Sequence, residues 1–155
     1  AISAARWSLK ERHRKEFQPV GKWLYHNNDG TECAWVVRFE NPKGGRESKR
    51  FQPIRKDGAG WRVGDPPGKW PLYCLPQIIK TDKGATIFVV EGEKACEAAR
   101  SIGLETTTSA HGAKAANKTD WTPLAGHDVV ILPDRDASGV SYADEVAAIL
   151  KGLNP

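Results

Sequence analysis

Two hydrophobic runs in the second half of the chain end in acidic residues. "ATIFVV" runs straight into Glu91-Gly92-Glu93-Lys94, and "DVVIL" runs into Pro133-Asp134-Arg135-Asp136. Asp-x-Asp lets two carboxylates act together, because residues i and i+2 of an extended segment point the same way. Carboxylates this close repel unless positive charge sits between them. If the two runs are neighbouring parallel strands, Glu91 joins the pair at the strands' carboxyl ends, where open parallel sheets hold ligands. A hard divalent cation suits such a trio. Mg²⁺ takes oxygen ligands, keeps several waters and needs only one or two carboxylates plus a substrate phosphate. Taken alone, Asp134 and Asp136 have a plainer reading: a loop in which aspartate turns the chain and caps the next helix.

The elements that would hold these residues are legible in the pattern. "ATIFVV" and "HDVVILPD" read as strands buried on both faces. "GEKACEAARSIG" places Ala95, Ala98, Ala99 and Ile102 at helical spacing, with Glu93 and Lys94 in an exposed first turn and Gly103 as a stop. "ETTTSA" is a short strand, and "HGAKAANKTDWTPLAG" is a loop with room for a helical turn. "SGVSYADEVAAIL" is a second helix, with Ser138 as a candidate N-cap. Strand–helix repeats of this kind predict an α/β unit, a parallel sheet flanked by helices.

A different rhythm precedes it. "AARWSLKERHRKEF" predicts a short basic helix over 4–17. "KWLYHNNDGTECAWVVRFE" predicts a hairpin around Asn28-Asp29-Gly30, and "RESKRFQPIR" a third strand. "RKDGAGWRVGDPPGKWP" reads as loop, and "PLYCLPQIIK" as a connector that packs its apolar residues onto the α/β unit. The expected organisation is a small basic β-rich subdomain over 1–80 and the α/β unit over 81–155.

The motifs resemble a known family. "VVEGEKACEAARSIG" followed by "DVVILPDRDASG" is similar to the Toprim domain shared by DNA primases, type IA and type II topoisomerases and some nucleases. Glu91 and Gly92 match its glutamate–glycine element, and Asp134 with Asp136 matches its Asp-x-Asp, about 40 residues on. "EGEK", "LPDRDASG" and the "PLYCLP" connector most resemble phage and plasmid primase or primase-helicase proteins. The resemblance implies Glu91, Asp134 and Asp136 as catalytic groups and as ligands of Mg²⁺ or Mn²⁺. It implies metal-dependent nucleotidyl transfer that makes RNA primers during DNA replication. Single-stranded DNA is the implied template, nucleoside triphosphates the substrates and a replicative helicase or helicase domain the partner. Alternatives are nuclease or topoisomerase-type phosphodiester chemistry, and a non-catalytic nucleic-acid or helicase-binding module. Tyr25, Tyr73 and Tyr142 offer no obvious topoisomerase nucleophile. Ala95 stands where primases commonly carry a further acidic residue, which favours the module. The family usually continues past residue 150 with another strand.

Charge supports a polyanion partner. The 155-residue chain carries a net charge of +4, divided into +8 over residues 1–85 and −4 over 86–155. Arg38, Arg50 and Arg55 in the first half are interleaved with Trp35, Phe39, Phe51 and Trp61, which suits a single-stranded track. Alternation alone would put Trp35 and Phe39 in a core instead. Lys94, Lys114, Lys118 and Arg135 are candidate phosphate contacts around the acidic trio, and His111 reads as a loop residue. The three cysteines give no disulfide framework, so a reducing, cytoplasmic setting is expected. No apolar run approaches the roughly 20 residues that cross a bilayer. The chain has no methionine and reads as a piece of a longer protein.

Overall fold

The computed structural model describes residues 1–9, 16–45, 48–112 and 115–153. The chain divides into two compact units, Ala1–Tyr25 with Glu32–Pro67, and His26–Thr31 with Gly68–Pro155.

The first unit contains α1 (Ile2–Ser8) and a sheet of β1 (Gln18–His26), β2 (Glu32–Glu40), β3 (Lys49–Asp57) and β4 (Gly60–Val63), in that order. The hairpin forms where Asn28-Asp29-Gly30 predicts it. The Thr31 N–H donates to Asp29 Oδ1 at 2.9 Å, and the Gly30 N–H donates to the Asn27 carbonyl at 3.0 Å. β2 and β3 are antiparallel, with Trp35 opposite Ile54 and Phe39 opposite Arg50. One sheet face builds a small core from Val37, Phe39 and Ile54 with Ala5, Leu9 and Phe17, and Trp35 and Trp61 pack against it. Alternation decides this arrangement: Phe39 is wholly buried.

Two expectations fail in this unit. The stretch read as loop after Arg55 contains β4, antiparallel to β3 with Trp61 opposite Lys56. Gly58, at φ +56°, closes that turn, and two apolar residues, Trp61 and Val63, are too short a pattern to announce a strand. The leading helix starts earlier than expected and is interrupted at Leu9, which is extended, and Glu16 is again helical. Residues 10–15 of the expected helix lie outside the described residues.

The second unit contains α2 (Leu75–Lys80), β5 (Thr86–Val90), α3 (Glu93–Ser101), β6 (Thr106–Thr107), β7 (Asp128–Leu132) and α4 (Ala137–Leu153). Short 3₁₀ turns at Ala116–Lys118 and Thr122–Leu124 occupy the predicted loop. The sheet order is β6-β5-β7, and both pairings are parallel. The core gathers Leu72, Leu75 and Ile78 from the connector and α2, Ile87 and Val89 from β5, and Tyr142, Val146 and Leu150 from α4. The connector therefore packs as its apolar residues predict. The contacts place the start of this unit at Gly68, ahead of the 80/81 division drawn from composition. Among the described residues no helix is long and apolar enough to cross a membrane.

Two burial expectations are corrected. β7 is an edge strand whose Val130 and Leu132 are 40% and 44% exposed, so it is not buried on both faces. α3 turns Cys96 and Glu93 inward, while Ala95 and Ala98 face out and Ile102 is 75% exposed. Alanines bury too little area to orient a short helix, and the Cys96 thiol gains a contact to the Thr106 carbonyl at 3.3 Å.

Leu72 is fully buried in the core of the second unit. Leu72→Ala should cost about 2–5 kcal/mol in urea denaturation followed by circular dichroism.

Candidate functional site

β5 and β7 run parallel with Val90 opposite Leu132. Both strands therefore leave the sheet at the same end. Neighbouring strands lie about 4.8 Å apart, so the residues just past their ends share one rim. Glu91 comes immediately after β5, and Asp134 comes two residues after β7. Asp134 and Asp136 are exposed. Glu91 is half-buried, and its Oε2 is shut off from solvent without a hydrogen-bond partner. Burial raises the Glu91 carboxyl above its ordinary value, and the negative charges of Asp134 and then Asp136 push it further. The Asp134 backbone N–H pulls it part of the way back. The Glu91 carboxyl thus feels the charge of both aspartates across the two strand ends.

The local turns show why these residues stand where they do. Gly92 makes the turn from β5 into α3 at φ +91°, a conformation side chains disfavour. After β7 the Asp136 N–H donates to the Asp134 carbonyl at 2.9 Å. The Gly139 N–H then donates to Asp136 Oδ1 at 2.8 Å, and the Val140 N–H to the Asp136 carbonyl at 3.1 Å. Asp136 is therefore the N-cap of α4, and Ser138 lies inside the helix instead of capping it. An aspartate accepts from the third helical N–H more readily than a serine one turn too late. The capping reading of the Asp-x-Asp segment holds, and the cap is made through Oδ1 of Asp136.

A buried polar seam lies behind the rim. The Gly92 N–H donates to Thr108 Oγ1 at 2.9 Å, and that hydroxyl donates to the Val90 carbonyl at 2.7 Å. Ser109 Oγ and the Tyr142 hydroxyl are 2.9 Å apart. Burial raises the Tyr142 phenol, opposed by hydrogen bonds from Ser109 and Thr108, and the Glu91 charge raises it further. Sequence reasoning missed Thr108, Ser109 and Tyr142, because their role depends on strand order. It also missed Gly139. A Cβ there would lie 2.3 Å from the Asp134 carbonyl oxygen. Glycine inside a helix costs about 1 kcal/mol, so "DASG" held a clue to close backbone approach.

The remaining candidates are dispersed. Lys94 is exposed in the first turn of α3, but Glu93 beside it is buried, against expectation. Arg135 is exposed between the aspartates, and Lys118 is exposed at the end of a 3₁₀ turn. Lys114 lies outside the described residues. His111 adopts φ +68° and packs edge-on to Trp70, with ring centroids 5.3 Å apart. On α3, Glu97 accepts a hydrogen bond from the Tyr73 hydroxyl at 3.2 Å. In the first unit, strand register puts Arg38 and Arg55 on one sheet face and Arg50 on the other. Arg38 pairs with Glu40, Arg55 donates to the Asp65 carbonyl at 3.3 Å, and Arg50 lies over the Phe17 ring.

Among the described residues, no group of three or more His, Cys, Asp or Glu side chains is placed so that it could hold a metal ion. The rim's acidic groups are nevertheless all carboxylates, the donors a hard cation takes, and one of their oxygens is buried and unpartnered.

Because the folded Glu91 carboxyl is raised, ionising it costs stability. That cost is absent below the ordinary glutamate range, about pH 4, and appears in full above the raised value. Glu91→Gln should therefore melt higher than the wild type at pH 7 and lose that advantage near pH 4, in parallel thermal scans. Gly139→Ala should destabilise the chain by about 1–3 kcal/mol and disorder the Asp134 turn, measured by urea denaturation.

No protein-family model and no curated protein sequence matches the chain. Solved structures do. One is a structure of bacteriophage T7 lagging-strand DNA polymerase interacting with primase domains of two gp4 subunits bound to an RNA/DNA hybrid and dTTP. It matches with a TM-score of 0.56 and 19% identity over 86% of this chain and 60% of that one. Another is the primase fragment of the bacteriophage T7 primase-helicase protein, with a TM-score of 0.54 and 17% identity over 90% of this chain and 51% of that one. The chain therefore spans between half and two thirds of the length of these chains, and at such low identity the likeness is one of fold: this is a mixed α/β chain with the fold of phage primase fragments.

Proposed function

We propose that this chain is the Toprim-bearing core of a primase-type nucleotidyltransferase, one that joins ribonucleotides on a single-stranded DNA template. The observation that carries the reading is the shared rim of β5 and β7, where the buried, unpartnered oxygen of Glu91 feels the charge of both aspartates. Its fold is that of primase domains, and in one neighbour those domains bind an RNA/DNA hybrid and dTTP.

In this reading Glu91, Asp134 and Asp136 hold Mg²⁺ or Mn²⁺. The bound cation supplies positive charge for the triphosphate and for the attacking 3′-hydroxyl. The chain's own residues do the rest. The parallel strands fix the spacing of the acidic groups, and the cap on α4 fixes the Asp136 rotamer. Exposed Lys94 and Arg135 are the proposed phosphate contacts. A replicative helicase or helicase domain is the proposed partner.

A second reading, a nucleic-acid-binding module without catalysis, is favoured by the lack of a group placed to hold a metal among the described residues and by exposed Ala95. Two measurements separate them. With single-stranded template, labelled nucleoside triphosphates and Mn²⁺, the wild type should yield short RNA products, and Asp134→Ala or Asp136→Asn should lower the yield at least about 100-fold. Mn²⁺ should also raise the wild-type melting temperature, and Asp134→Ala should abolish that rise. DNA binding with neither products nor a Mn²⁺ effect would leave the module.

A further inference from the structure

The first unit holds a second site, distinct from the acidic rim. Lys22 of β1, Glu32 and Trp35 of β2, Trp61 of β4 and the first residues of α1 line an open cleft of about 390 Å³. That volume lies at the small end of ligand pockets. Trp35 and Trp61 meet edge to face, with ring centroids 6.3 Å apart and planes at 66°. Each packs one side on the small core yet remains half-exposed. What covers their rings is flexible cation. The Lys22 ammonium sits 5.1 Å from the Trp35 centroid, and the Lys56 ammonium sits 4.7 Å from the Trp61 centroid. Lys56 also reaches Glu32 at 3.5 Å.

We infer that this cleft takes one unpaired, amino-bearing base of a single DNA strand. The chemistry points to a flat aromatic ligand carried on an anionic backbone. An indole face stacks a base of any sequence, and a mobile ammonium beside it pairs with phosphate. On binding, Lys22 and Lys56 leave the ring faces for the flanking phosphates. Loss of the Lys56 contact frees the Glu32 carboxylate, which then accepts hydrogen bonds from a base amino group, as acidic side chains do from cytosine. Thymine has no amino group and is disfavoured. The inference rests on the reading of the chain as one that takes a single-stranded template, and it adds where the strand is gripped and what selects the base.

The test uses the full chain and short fluorescein-labelled single strands, followed by anisotropy over a salt series. Trp61→Ala should weaken binding about tenfold without changing the slope of log affinity against log salt. Trp61→Phe should recover most of that loss. Lys22→Ala with Lys56→Ala should flatten the slope by about 1–2. Glu32→Ala should erase a severalfold preference for cytosine over thymine strands. Circular dichroism checks that each variant folds. Independently of any variant, a strand with one 5-iodocytosine, irradiated on the wild-type chain, should leave its adduct on Trp35 or Trp61. Wild-type binding that is unchanged in folded Trp61→Ala, or adducts confined to other residues, overturns the cleft and leaves the primase reading standing. A wild-type chain that binds no single strand overturns both.

Discussion

The second unit depends on one pairing, β5 alongside β7, parallel and in register. It carries two chain segments to a common rim and sets the Glu91 carboxyl there against two aspartates. Nothing in the hydrophobic effect asks for this. Burial drives Ile87 and Val89 inward and would be served as well by neutral residues after the strands. Burial of the Glu91 carboxyl, and after it the charges of Asp134 and Asp136, instead cost stability, which shows in its raised value. The fold keeps this cost beside a carboxylate oxygen that is buried and unpartnered, as sites of function commonly do.

The surroundings of the rim hold its geometry without neutralising it. Thr108 ties Gly92 to Val90, so the peptide leaving β5 is held on both sides of Glu91. Asp136 gives one oxygen to the α4 cap, and Gly139 lets the helix backbone close onto Asp134. Tyr142 anchors that helix to Ser109 while its aromatic body joins the core. Packing and polar satisfaction therefore converge on the same few residues.

The first unit solves a different problem. Its sheet uses one face to bury Val37, Phe39 and Ile54, and the two tryptophans at the edge of that core remain half-exposed under lysines. The arginines expected to form a single platform are divided by the pleat. A strand sends successive residues to opposite faces, so Arg50 parts from Arg38 and Arg55. Interleaving of cations and aromatics in sequence carries no information about which face they share.

Local pattern alone was enough for the hairpin at Asn28-Asp29-Gly30, the β5 run, the α4 helix and the apolar connector, because turn chemistry and apolar periodicity act over a few residues. It misjudged α3 and β7, since which side of an alanine-rich helix is covered, and whether a strand lies at an edge, are decided by neighbours distant in sequence. Spacing singled out Glu91, Asp134 and Asp136 as candidates, but Thr108, Ser109, Tyr142 and the cap made by Asp136 emerged only in three dimensions. By itself the sequence determined which groups carry charge and which segments are strand or helix, because those are properties of side chains and short-range backbone preference. Only the tertiary structure decided that β5 and β7 are neighbours, since adjacency in a sheet is a choice among pairings made by the whole core.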